Sequence, residues 1–170
     1  MITLSLISNE IKSNDPKAYT LEKTSYFGKK INNTVEYSLF EAFYLIETKK
    51  AKLLSNQKEL TNEEIEKKLN KIDKKFKIKY PVYKDLRKKG HIPKTALKFG
   101  AEFRVYKKGK APGKGHSDWI VFTESESSQN SWHDFTAKNR VAHSTGKKLL
   151  LTIVDNEKDV SYFEVTWKKI

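Results

Sequence analysis

The sequence predicts an α+β chain with mixed α/β character, in two parts. A small N-terminal α/β domain covers residues 1–79, and a C-terminal domain over 80–170 sets a mixed β-sheet between helices. Three observations carry this. Ser38 with Glu41, and Thr61 with Glu64, form capping-box patterns that each open an apolar run at helical spacing. Alternating segments such as "AEFRVY", and the closing "KLLLTIVDNEKDVSYFEVTW" with its polar turn at 155–159, read as strands. Between these groups the lysine density peaks over 71–79 and ends at Pro81, where proline disfavours helical continuation, so the boundary is placed there.

Residues 2–8, "ITLSLIS", form the first expected strand, and 18–36 reads as short strand-like pieces between the turn signals "FGKK" and "INNT". The helix opened by Ser38 presents Leu39, Phe43, Tyr44 and Ile46 as its apolar face. The helix opened by Thr61 carries Ile65, Leu69, Ile72 and Phe76 at helical spacing in a lysine-rich surface, the pattern of an exposed amphipathic helix. After Pro81, "VYKDLRKKG" predicts a short helix stopped by Gly90 as its C′ residue. Strands are expected at 101–107 and 118–123, then a helix near 131–145, then the closing hairpin. There is no internal repeat.

Mean hydropathy is −0.71, and no run approaches the ~20 apolar residues of a membrane-spanning helix. The N-terminus lacks a basic, apolar, small-residue leader pattern, so the chain is expected to be soluble, unprocessed and cytoplasmic. Cysteine is absent, which removes disulfides, thiolate zinc sites and cysteine nucleophiles together and suits a reducing compartment. The formal net charge of +13 is large for 170 residues and draws polyanions, nucleic acid first among them. Residues 1–80 hold 16 basic and 11 acidic side chains, and 81–170 hold 18 and 10, so the second half is the better place to seek a phosphate site.

The loop "GKAPGKGHS" has neither the spacing nor the terminal Lys-Ser/Thr of a P-loop and reads as a hairpin connection. His133 and His143 lack a third ligand near them in sequence, and Asp85, Glu102, Asp118 and Asp134 are too scattered to suggest a two-metal carboxylate cluster, so no metal or cofactor is expected. RNA can be cut without metal when three tasks are met. The ribose 2′-hydroxyl must lose a proton, the departing 5′-oxygen must gain one, and the intervening phosphorane needs its extra negative charge balanced. Histidine, with an unperturbed pKa of ~6.5, suits proton donation. Lysine is a compact cation for the oxyanion. Tyrosine, with a pKa of about 10, serves as base where cations favour its phenolate, and Lys107, Lys108, Lys110 and Lys114 provide that neighbourhood in sequence. Tyr106, His116 and a lysine from 146–148 make a sufficient set.

The segments "YPVYKDLRKKGHIPKTALKFGAEFRVYKKG", "GHS", "NRVAHSTGKKLLLTIVD" and "YFEVTW" together resemble, in order over about 80–170, the catalytic domain of archaeal tRNA-intron splicing endonucleases. The first half is compatible with that family's smaller α/β domain. The resemblance implies a metal-independent nuclease that recognises a bulge-helix-bulge in precursor tRNA, cuts both intron boundaries, and leaves 2′,3′-cyclic phosphate and 5′-hydroxyl ends. It also implies that Tyr106 is the base, His116 the acid and Lys147 the charge-stabilising lysine. Lys148 is the neighbouring competitor, and on a strand the two point to opposite faces.

The family further holds a bulge nucleotide between two cationic side chains supplied across a subunit interface. Arg140 matches the first, and Trp167 stands near the position of the second, where no arginine occurs. Its ring can stack on a base. Family members form four-subunit or pseudo-four-subunit particles, partly through an acidic loop, for which Asp155, Glu157 and Asp159 are the counterparts. A homotetramer and a heterotetramer with a related structural subunit are both open. So are two rival functions: a non-catalytic RNA-binding subunit of the same assembly, and a magnesium-dependent nuclease.

Overall fold

The structure, a computed structural model, describes residues 1–170. The chain forms two compact units, Met1–Lys77 and Ile78–Ile170.

In the first unit, β1 (Ile2–Ile7), β2 (Glu10–Ser13), β3 (Lys29–Ile31), β4 (Thr34–Tyr37), β5 (Ala51–Ser55) and β6 (Lys58–Glu59) build a sheet ordered β3-β4-β2-β1-β5-β6. Three helices accompany it: α1 (Pro16–Ser25), α2 (Leu39–Glu47) and α3 (Asn62–Ile72). The strand-like reading of 18–36 is wrong in its first part, which is α1. Asp15 caps the Lys17 N–H and Pro16 sits at the first helical position, a start signal stronger than the local β propensity. Both capping boxes are present. In α2 the buried face is Phe40, Ala42, Leu45 and Ile46, a rotation away from the expected Leu39, Phe43 and Tyr44. Glu41 causes part of this turn inward. Its carboxylate accepts the Gly28 N–H (3.0 Å) as well as the Ser38 N–H (2.9 Å), so the capping glutamate is buried.

The helix expected to continue through Phe76 stops at Ile72, and a new helix, α4 (Phe76–Lys88), contains Pro81. The proline falls only five residues in, so the one bond it deletes is that of the Lys77 carbonyl in the first turn. Val82, Tyr83 and Leu86, all buried, hold the rest of the helix in place. Gly90 ends it as expected: with φ of 85° it donates to Arg87 O (3.0 Å), and His91 N–H donates to Leu86 O (3.0 Å), a Schellman motif.

The second unit is a five-stranded sheet ordered β11-β10-β9-β8-β7, from β7 (Ile92–Ala96), β8 (Ala101–Tyr106), β9 (Trp119–Ser125), β10 (Lys148–Val154) and β11 (Val160–Val165). All pairings are antiparallel except β9 with β10, which α5 (Trp132–Ser144) connects as a crossover. The two faces have different covers. Phe103, Val105 and Val121 lie toward α4, where the Tyr83 and Phe103 rings are 5.9 Å apart and the Tyr162 hydroxyl donates to Asp85 (2.6 Å). Ile120, Phe122 and Leu149 pack with Ala142 of α5 and with Ala96 and Ala101, bordered by Phe99, Phe135 and Leu151. Each such side chain contributes about 1.5–3 kcal/mol on burial, so the sheet is a stiff base for what it carries at its end. No helix of the chain is long and apolar enough to cross a membrane.

Candidate active site

Strand register brings the sequence-separated candidates to one end of the second sheet. Val105 pairs with Trp119, and Trp119 with Lys148. The Asp118 N–H donates to Val105 O (2.8 Å), the carbonyl of the residue paired with Trp119, so Asp118 and Trp119 both oppose Val105, and the Asp118 carbonyl accepts the Lys148 N–H (3.1 Å), the ladder bond of the Trp119–Lys148 pair. Tyr106, Asp118 and Lys147 each adjoin one of the aligned residues Val105, Trp119 and Lys148, at the same end of β8, β9 and β10. Strands lie about 4.8 Å apart, and by alternation along β8 and β10 Tyr106 lies on the face away from Phe103 and Val105, the face shared by Leu149 and Lys147. That is the α5 face.

Tyr106 is the last residue of β8, pairs with Ile92, and is 6% exposed. The loop after it makes one turn closed by Lys110 N–H to Lys107 O (2.9 Å) and another by Lys114 N–H to Ala111 O (3.1 Å). Ala111 and Ser117 are buried and anchor it, while His116 is exposed beside Ser117. The loop thus returns His116 to the sheet two residues before Asp118, at the end that holds Tyr106.

Lys147 is placed by the end of α5. Gly146, with φ of 68°, donates to His143 O (3.0 Å), and the Lys147 N–H donates to Ala142 O (2.9 Å), a second Schellman motif that turns the chain from helix into β10 within two residues. The left-handed conformation at 146 is one that glycine adopts without penalty. The Lys147 ammonium has a single long contact, to Thr145 O (3.4 Å). Lys148 lies on the opposite face and is committed: its ammonium donates to Glu164 Oε1 (2.8 Å), while Glu164 Oε2 accepts the Trp119 indole N–H (2.7 Å). The Lys148 contact first and the Trp119 contact second hold the Glu164 carboxyl below its ordinary range.

Asp118, set aside in sequence as one scattered carboxylate, has the densest bonding at this end. Oδ2 accepts the Lys107 N–H (3.1 Å) and Oδ1 the Lys110 ammonium (2.6 Å). Burial pushes its carboxyl pKa up, but the Lys110 and Lys107 contacts outweigh that and the net shift is downward. The signal that could have found it is its place in "GHSDW", two residues past His116 at the start of a strand.

Arg140 is exposed on α5, and His143 lies one turn further on. The Trp167 ring, 45% exposed, sits 4.5 Å from the His143 ring, so the C-terminal segment brings Trp167 to the part of α5 that carries Arg140. In the acidic turn, Asp155 is used internally, its Oδ1 accepting the N–H groups of Glu157 (2.9 Å) and Asp159 (2.8 Å). Glu157 and Asp159 are exposed. No group of three or more His, Asp or Glu side chains is arranged to hold a metal ion. Asp134 caps α5 with Ser131, Glu102 accepts the Thr123 N–H (3.1 Å), and Asp85 is held by Tyr162 and Lys89.

Comparison with known proteins agrees with this architecture. Residues 76–162 match the family described as tRNA intron endonuclease, catalytic C-terminal domain, and residues 4–66 match tRNA intron endonuclease, N-terminal domain. A tRNA-splicing endonuclease of Thermococcus kodakarensis is 40% identical over 170 residues, 99% of each chain. One of Pyrococcus abyssi is 46% identical over 143 residues, 84% of this chain and 82% of the relative. One of Nanoarchaeum equitans is 44% identical over 140 residues, 79% and 90%. Family matches that together span both units, and relatives 40% to 46% identical over most of the chain, make this chain a member of the tRNA intron endonuclease family, an enzyme carrying both its N-terminal and its catalytic domain.

Proposed function

We propose that the chain excises introns from precursor tRNA by cutting bulge-helix-bulge RNA without metal, leaving 2′,3′-cyclic phosphate and 5′-hydroxyl ends. The observation that supports this is that β8, the loop bearing His116 and the start of β10 bring Tyr106, His116 and Lys147 to the same end of the sheet, with Tyr106 and Lys147 on one face. In the proposed step the Tyr106 phenolate takes the proton of the ribose 2′-hydroxyl, and the 2′-oxygen bonds to the adjacent phosphorus. The bond from phosphorus to the 5′-oxygen breaks as the His116 imidazolium delivers its proton to that oxygen. Lys147 balances the charge that develops on the phosphorane.

Arg140 and Trp167 hold a bulge base in this reading, supported by the seat of Trp167 on His143 one turn from Arg140. The pair serves a cut made by another copy in a homotetramer, or by a related subunit in a heterotetramer. Glu157 and Asp159 offer the outward charge of the 155–159 turn to a basic neighbour, with Asp155 shaping the turn. The cysteine-free sequence suits a cytoplasmic setting.

The test is single-turnover cleavage of a bulge-helix-bulge RNA in excess chelator, beside the same RNA with one 2′-deoxy nucleotide at the cut. Cleavage of the first and none of the second is expected. Loss of cleavage in chelator with the fold intact would favour the magnesium nuclease, and no cleavage with or without metal would make the chain a non-catalytic subunit.

A further inference from the structure

We infer that Asp118 is a positioning residue for the reaction, one that fixes His116 relative to Tyr106 and Lys147; this rests on the function proposed above. The loop between Tyr106 and Asp118 contains three glycines with positive φ, at 109, 113 and 115, and a Cβ at any of them would meet nothing within 4 Å. The loop backbone therefore has freedom and no close packing at those points, while a general acid needs a reach defined to a few tenths of an ångström. A misplacement of 1 Å can cost about 10²-fold.

Asp118 supplies the missing constraint from four directions. Its backbone joins β8, through Val105 O, to β10, through the Lys148 N–H, each one residue from a proposed catalytic group. Its Oδ2 takes the Lys107 N–H, the first donor after Tyr106, and so pins the exit of the loop. Its Oδ1 takes the Lys110 ammonium and so pins the loop's first turn. Both ends of the segment bearing His116 are thus fastened to one carboxylate that is 16% exposed. Each carboxylate oxygen is engaged by a donor of the loop, so Asp118 acts through the loop that carries His116.

A double-mutant cycle in the full-length protein tests this, with single-turnover cleavage of a bulge-helix-bulge RNA and RNA affinity measured for Asp118→Ala, Asp118→Asn, His116→Ala and the two double variants. Asp118→Ala should lower the cleavage rate by about 10²-fold with RNA affinity within threefold of wild type. Asp118→Asn keeps an oxygen for the Lys107 N–H and should recover at least half of that loss on a logarithmic scale. In the His116→Ala background either Asp118 change should cost less than threefold, because there is no imidazole left to place. Equal costs in both backgrounds would overturn the proposal while leaving the function standing, since a general structural defect does not depend on His116. A His116→Ala enzyme as fast as wild type would remove the assigned acid and this proposal together. If Asp118→Ala does not fold, the Asp118→Asn arm of the cycle decides by the same criterion.

Discussion

Replacing each of two adjacent lysines should have opposite consequences. Lys148 is paired with Glu164 at 2.8 Å, with side chains 50% and 37% exposed, and Glu164 keeps its Trp119 contact when the lysine is gone. An ion pair this exposed contributes between about 0 and 1 kcal/mol, and screening by salt lowers that further. Lys148→Ala should therefore shift the unfolding free energy by less than about 1 kcal/mol and the cleavage rate by less than about fivefold. Lys147 sits on the other face, half-buried, with one 3.4 Å contact to a carbonyl and no carboxylate partner. Removing a donor aimed at a developing oxyanion costs about 2.7–4 kcal/mol, so Lys147→Ala should slow the single-turnover step about 10²–10³-fold. Its stability should stay near wild type, since the Schellman motif that orients residue 147 uses its backbone alone. The assay is a time course on end-labelled RNA at saturating protein, with urea unfolding as control. A larger rate loss for Lys148→Ala than for Lys147→Ala would refute the face assignment and the proposed catalytic set with it.

If clamp and acid act from different copies, as proposed, mixing Arg140→Ala with His116→Ala chains should restore cleavage beyond either alone once subunit exchange is verified; no recovery would assign Arg140 to its own site. Trp167→Ala should weaken bulged-RNA binding about ten- to a hundredfold if the ring stacks on a base. Gly146→Ala should destabilise the second unit by about 1 kcal/mol and slow cleavage, since φ of 68° strains any residue with a Cβ, which thermal unfolding checks. The folded Asp118 carboxyl has a pKa below its unfolded value, so its contribution is whole above about pH 4 and is lost as pH falls through the folded pKa. Acid unfolding curves of wild type and Asp118→Asn should accordingly converge at low pH.

Much of this was legible in the residues. The capping boxes at Ser38 and Thr61 and the stop at Gly90 are local chemistry, and strands with clean alternation, such as 101–106, declare themselves. α1 was hidden because its signal is a single Asp-Pro start in a segment of mixed propensity. β7 was hidden because "IPKTA" has a proline near its start and no alternation, and exists by pairing with β8 at the sheet edge. Pro81 misled because a rule about helix interiors was applied to a residue near a helix start. At the site, Tyr106, His116 and Lys147 are visible as residue types, but what separates Lys147 from Lys148 is the position of Glu164, sixteen residues further on, which only pairing of β10 with β11 reveals.

The parallel pairing of β9 with β10 also sets an order of assembly. Tyr106 and His116 belong to the β8–β9 hairpin, closed over a short span of chain, whereas Lys147 joins them only when α5 has formed and laid β10 beside β9. Contacts of greater sequence separation carry a larger loop-closure cost and form later. A chain that has formed its hairpin but not its crossover therefore holds a phenol and an imidazole with no ammonium opposite them, and its basic surface can engage RNA without cutting it. In this order cleavage competence waits for the β9–β10 crossover, so a pulse-labelling experiment should find protection of β10 amides and nuclease activity appearing with the same rate constant.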